Sequence, residues 1–189
     1  MEYLASPIKK EYDRWMAQLG EKDPYTGANS IGIHDVLRAH FLVADYFYNE
    51  DEGIGGVGPK SLDMLHSALY RQFISFGGIV KWTNKFDICA TLFYGLIKNH
   101  PFHDANKRTA FLACLYHLQK IGRCANAPQK EFENLTVDIA ENQLLKFSRF
   151  KRLIKGKTEN PEILFISDFF KRKTRDWSFE FHNNWSAPK

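Results

Sequence analysis

Apolar residues recur along most of this chain at helical spacing, with one clear interruption. Residues 8–20 form a short amphipathic pattern closed by Gly20. "HDVLRAHFLVADYFYNE" (34–50) places Val36, Leu37, Phe41, Val43, Ala44 and Phe47 near one helical face. "KFDICATLFYGLIKN" (85–99) is apolar on most faces, the mark of a central helix, and Pro101 should end it. "NKRTAFLACLYHLQKIG" (106–122) is a further buried helix, with Gly122 suited to a left-handed stop. Helices are also expected over 62–73, with Ser61 as its cap, over 129–142 and over 162–175. "KDPYTGANS" (22–30) reads as a turn-rich connector and "DEGIGGVGPKS" (51–61) as a loop. The interruption is "FISFGGIVKW" (73–82), where β-branched and aromatic residues flank Gly77-Gly78. That is a two-residue hairpin signal, with a bent helix end as the other reading. The pattern predicts a mainly α protein with one small hairpin; the terminal "DWSFEFHNNWSAPK" has no clear period.

Composition narrows this modestly. A chain of 189 residues, 44% hydrophobic and 25% charged, suits one globular domain. Sixteen Phe imply a bulky core. No apolar run reaches membrane-spanning length, and the N-terminus lacks the apolar segment of a secretory signal. Cys89, Cys114 and Cys124 have no metal-ligand spacing, and an odd number argues against a disulfide framework. A reducing cytoplasm is the simplest compartment. The net charge of +4 favours acidic partners only mildly.

Candidate chemistry concentrates in "NHPFHDANKRTAF" (99–111), the turn between the two central helices. Asp104 to Arg108 lie at the start of the second helix. There the first N–H groups lack partners and the positive end of the dipole favours anions, phosphates in particular. Lys107 and Arg108 add two cations, so a triphosphate site is plausible. Asp104 reads either as an N-cap, which local sequence favours, or as a Mg²⁺ ligand. Asn106 reads as a cap or a phosphate contact. His100 reads as a helix-terminal histidine or as a general base near neutrality. Phe102 is the expected loop anchor, and His103 an exposed, incidental residue.

"HPFHDANKR" (100–108) resembles the Fic/Doc family signature. The resemblance runs from about residue 31, through "IHDVLRAHF" and "GPKSLDMLHSAL", to about residue 125. It leaves residues 1–30 as an N-terminal extension and 126–189 as a C-terminal helical extension packed on the core of a single domain. It implies a Fic-like helical bundle with a small β-hairpin flap. His100 would be the general base for a target hydroxyl, and Asp104 would hold Mg²⁺. Ala105, Asn106, Lys107 and Arg108 would bind nucleotide phosphates. The flap, Ile74, Ser75, Phe76, Gly77, Gly78, Ile79 and Val80, would dock an extended target segment by strand addition.

AMP-transferring members usually have Gly where this chain has Lys107, and a second Arg where it has Phe111; Ala105 also replaces the commoner Gly. "DANKRTA" is instead similar to the Doc (death-on-curing) toxins, whose nucleotide is thought to bind reversed and present its γ-phosphate. The resemblance therefore implies a Doc-type kinase toxin, with ATP or another nucleoside triphosphate as co-substrate. The target would be a Ser or Thr hydroxyl, for example of a translation elongation factor. AMP transfer to a protein hydroxyl is the alternative, and a catalytically silent Fic-fold binding protein a weaker one. The self-inhibitory pattern of many Fic enzymes does not fit here: Val137 precedes Glu141-Asn142 and Tyr48 precedes Glu52-Gly53. Restraint is thus expected from a separate antitoxin or inhibitor chain.

The basic stretch 144–157, with Lys146, Arg149, Lys151, Arg152, Lys155 and Lys157, reads best as a solvated helix face. A nucleic-acid footprint or an acidic partner surface are the less favoured readings. A metal-dependent phosphohydrolase would need His103-Asp104 joined by residues such as His34, Asp35, His66 or Asp138, which nothing in the sequence brings together.

Overall fold

The architecture is taken from a computed structural model, which describes residues 1–50 and 54–177. Residues 51–53 of the expected loop, and 178–189 of the aperiodic end, lie outside the described residues. Eight α-helices form the described fold: α1 (Ser6–Leu19), α2 (Ile33–Asn49), α3 (Leu62–Tyr70), α4 (Lys85–Asn99), α5 (Asn106–Lys120), α6 (Gln129–Ala140), α7 (Ser148–Lys155) and α8 (Pro161–Lys173). The helix expected over 62–73 tightens to a 3-10 turn at Arg71–Phe73. No helix among the described residues is long and apolar enough to cross a membrane.

α4 sits at the centre because it is apolar nearly all round. Ala90, Leu92, Phe93, Leu96 and Ile97 are buried, and α3, α5, α6 and α8 pack around it. Asn84 caps its start by accepting from Phe86 N–H at 2.9 Å. α8 closes the far side, where Phe170 meets Phe93 edge-on at 5.6 Å and also packs on Phe132. Burying each such ring contributes roughly 1.5–3 kcal/mol. Residues after 126 therefore complete the core around α4.

The first thirty residues are equally engaged. The Tyr12 ring on α1 packs against Phe41 on α2 at 5.4 Å. Asp23, in the connector, accepts from the His34 N–H at 3.1 Å and so satisfies a free donor at the start of α2. Gly32 is required there: a Cβ would lie 1.9 Å from the Asp23 carboxylate.

The expected hairpin is present. β1 (Ser75–Phe76) pairs antiparallel with β2 (Ile79–Val80), and Gly77 and Gly78 both take positive φ, as the tight turn demands. The sequence pattern does not reveal a second small sheet, β3 (Arg123–Ala125) with β4 (Thr174–Asp176). Its strands are three residues long and separated by 48 positions, too short to show a period of two. The Arg123 guanidinium ties them together, donating to the Thr174 carbonyl and hydroxyl and pairing with Asp176.

Candidate functional site

Residues 100–105 link the end of α4 to the start of α5, and two left-handed residues bracket them: His100 (φ 46°, ψ 55°) and Ala105 (φ 57°, ψ 19°). Neither is glycine, so each position stores roughly 1–3 kcal/mol of backbone strain. The surroundings hold this conformation in place. Asn99, just before His100, accepts from Arg71 at 3.1 Å. Phe102 is fully buried. Asn106 clamps it: the Phe102 N–H donates to Oδ1 and the Phe102 carbonyl accepts from Nδ2, both at 2.9 Å. The Asn106 side chain is thus occupied by the loop.

Under the loop lies His40 of α2, a residue the sequence pattern did not single out. It is wholly buried and stacks on the Phe102 ring at 4.0 Å and 10°. Its Nε2 accepts from Gly58 N–H at 2.9 Å, so the proton sits on Nδ1, which donates to Thr109 Oγ at 3.0 Å. Burial lowers its pKa from 6.5 to about 3 and keeps it neutral. Only the fold could reveal this role, because the partners come from three distant segments.

Segment 54–60 covers the loop's other side. Lys60 N–H donates to the Pro101 carbonyl at 2.8 Å, His103 N–H donates to the Gly58 carbonyl at 3.2 Å, and Pro59 bridges antiparallel to Phe102. Gly58 has φ +92°, and a Cβ there would lie 2.4 Å from Trp15 Nε1. Gly55 N–H donates to Asp104 Oδ2 at 2.8 Å, and Ala105 N–H donates to Oδ1.

These bonds change the reading of Asp104. Local sequence favours a cap for the helix beginning at Asn106, but the N-cap is Ala105 and no side chain fills that role. The first turn of α5 is therefore open. The two N–H bonds, with Arg108 nearby, hold the Asp104 carboxyl below its ordinary value, ionised at neutral pH. It is half-buried, and each oxygen retains a free lone pair. A single ionised carboxylate beside the uncapped start of a helix fits Mg²⁺, which takes few protein ligands and completes its shell with water and phosphate oxygens.

His100 and Lys107 are exposed. Desolvation, then the ammonium groups of Lys60, Lys98 and Lys107, lower the pKa of His100, so the ring is neutral and able to accept a proton at physiological pH. Arg108 lies over the Phe47 ring at 3.8 Å and, with Lys107, lines an open apolar groove of about 580 Å³. Phe47, Tyr46 and Phe111 form part of its wall, so the position at which AMP-transferring Fic enzymes carry a second arginine is apolar here. His103 is exposed, against Gly56.

The phosphohydrolase residues remain apart. His66 Nδ1 bonds Tyr25 Oη at 2.7 Å, His34 lies beside Asp23, and Asp138 pairs with Lys146. Among the described residues, no group of three or more His, Cys, Asp or Glu is placed to hold a metal. Cys89, Cys114 and Cys124 are free thiols.

Residues 29–118 match the Fic/DOC family, a stretch running from just before α2 almost to the end of α5. It contains His40, segment 54–60, the hairpin and the whole loop. The bundle with its hairpin is Fic-like, and the family's general chemistry is transfer from a nucleoside triphosphate to a protein. No curated protein matches the chain.

Proposed function

We propose that this protein is a Doc-type toxin that phosphorylates a Ser or Thr hydroxyl of a target protein. The observation that carries the reading is the pairing of a neutral His100 with an uncapped α5 start bearing Lys107 and Arg108. His100 removes the hydroxyl proton. The hydroxyl oxygen bonds to the γ-phosphorus, the bond from that phosphorus to the β,γ-bridging oxygen breaks, and the nucleoside diphosphate departs. Main-chain N–H groups at Asn106 and Lys107, with the Lys107 and Arg108 side chains, hold the phosphates. Asp104 would hold Mg²⁺, which neutralises phosphate charge when bound. Apolar walls at Phe47 and Phe111 offer a surface for the nucleoside.

The hairpin supports protein as the acceptor. Phe76, Ile79 and Val80 are 91%, 76% and 51% exposed, an apolar edge suited to strand addition by an extended segment. Lys107 in place of glycine puts a long cation among the phosphates and favours γ-phosphate over AMP transfer. The cytoplasm is the compartment where a translation elongation factor would be met, and a separate inhibitor chain would restrain the toxin.

The test is intact-mass spectrometry of a purified elongation factor after incubation with this protein, ATP and Mg²⁺. A mass gain of one phosphate is expected. A gain of one AMP would overturn the kinase assignment and keep the base. An unmodified factor would remove it as the target, and the same measurement would move to whole lysate.

A further inference from the structure

Segment 54–60 does more than cover the loop. The Lys60 N–H on the Pro101 carbonyl (2.8 Å) and the Pro59–Phe102 bridge fix its last residue next to the start of the catalytic loop. The Lys60 side chain takes no part in that pairing and is exposed. Lys60 is one of three lysines, with Lys98 and Lys107, whose charge lowers the His100 pKa. Lys98 is already engaged, its Nζ donating to Asn142 Oδ1 at 2.7 Å. The ammonium groups of Lys60 and Lys107 have no hydrogen-bond or ion-pair partner among the described residues.

Two ammonium groups without partners among the described residues, borne by different elements, thus act on the same histidine. A polyanion bound at His100 would gain from both charges. Lysine suits this role as a mobile point charge that follows a phosphate as it is transferred. Segment 54–60 is anchored for such a task by Gly58 N–H on His40 and Gly55 N–H on Asp104.

We propose that Lys60 is a further anion-binding residue of the transfer site, acting with Lys107 on the polyphosphate of the nucleotide. The proposal rests on the transfer reading above. It makes segment 54–60 part of the nucleotide site, with its main chain holding the loop and its last side chain binding the ligand.

The test is calorimetric titration of the full chain with inorganic tripolyphosphate at fixed ionic strength. Lys60→Met is expected to weaken binding about tenfold, the effect of losing one charged contact. Lys60→Arg should retain most of the affinity. Lys151→Met, on the distant basic helix, should leave it unchanged and controls for net charge. Thermal unfolding of Lys60→Met should match the parent, because the structural bonds of Lys60 are main-chain. Native affinity in Lys60→Met, or equal weakening in Lys151→Met, overturns the proposal. A parent protein that binds no tripolyphosphate overturns it together with the transfer reading. If the Lys60 effect holds and no transfer is found on any target, only the transfer reading falls.

Discussion

The loop at 100–105 and the hairpin at 74–80 are both tight turns flanked by bulky apolar residues, yet the fold treats them in opposite ways. The loop is bound from every side: Phe102 is buried on His40, Asn106 clamps its main chain, and segment 54–60 pairs along it. The hairpin is tied mainly at its base, by Lys81 N–H on the Ile74 carbonyl and the Lys81–Glu159 pair, and its apolar side chains face solvent. In the proposed reaction a base, a carboxylate and an anion-binding turn would lose their effect when misplaced by about 1 Å, which such an over-determined loop prevents. The proposed docking role asks for an edge that an incoming chain can reach, and the hairpin's apolar side chains are exposed as that role requires.

The largest effect should come from the loop's exposed tip. His100→Ala is expected to lower transfer about 10²–10⁴-fold with little change in the thermal midpoint, since the side chain is not part of the core. A folded variant with native turnover would show that another group is the base.

Paired truncations test the comparison itself. Phe102→Ala should cost about 3–5 kcal/mol in urea denaturation, the usual cost of an emptied aromatic site. Phe76→Ala should stay within about 0.5 kcal/mol and raise KM for the protein target instead. Equal losses of stability would mean that the hairpin is as integral to the fold as the loop.

Acid should weaken the loop's support first. The pKa of His40 is depressed to about 3 in the folded chain, so between the ordinary 6.5 and that value the unfolded chain binds a proton the native one refuses. Stability therefore falls with pH across this window, by at most about 1.4 kcal/mol per unit from this group. In His40→Gln the slope from His40 should vanish. A variant with the parent's slope would show that another group causes it. For catalysis the sign is similar: the lowered pKa of His100 keeps it deprotonated below the ordinary histidine value, and transfer is lost only as pH falls through the shifted one. A pH–rate profile with its acid limb above 6.5 would contradict this.

The smallest effect concerns strain. Ala105 is left-handed, and Ala105→Gly should stabilise the chain by about 1 kcal/mol. A shift in denaturation midpoint in the opposite direction would mean that the Ala105 methyl, itself buried, contributes more than its backbone costs.

Local pattern was enough to read the bundle. Periodicity marked α4 and α5 closely, and Gly77-Gly78 marked the hairpin, because helices and two-residue turns are set by neighbouring residues. The crowding of His100, Asp104, Lys107 and Arg108, on which the proposed anion site rests, is likewise visible in nine consecutive residues. Local sequence favoured the cap reading of Asp104 over the ligand one. The tertiary structure removes the cap by placing Gly55 on that carboxylate and leaving Ala105 at the helix start. It also decided what lies beneath and beside the loop: His40 from α2, Gly58 and Lys60 from segment 54–60, and Thr109 from α5. Their spacing along the chain carries no period, since contacts between distant segments depend on how helices pack rather than on the order of residues within any one of them.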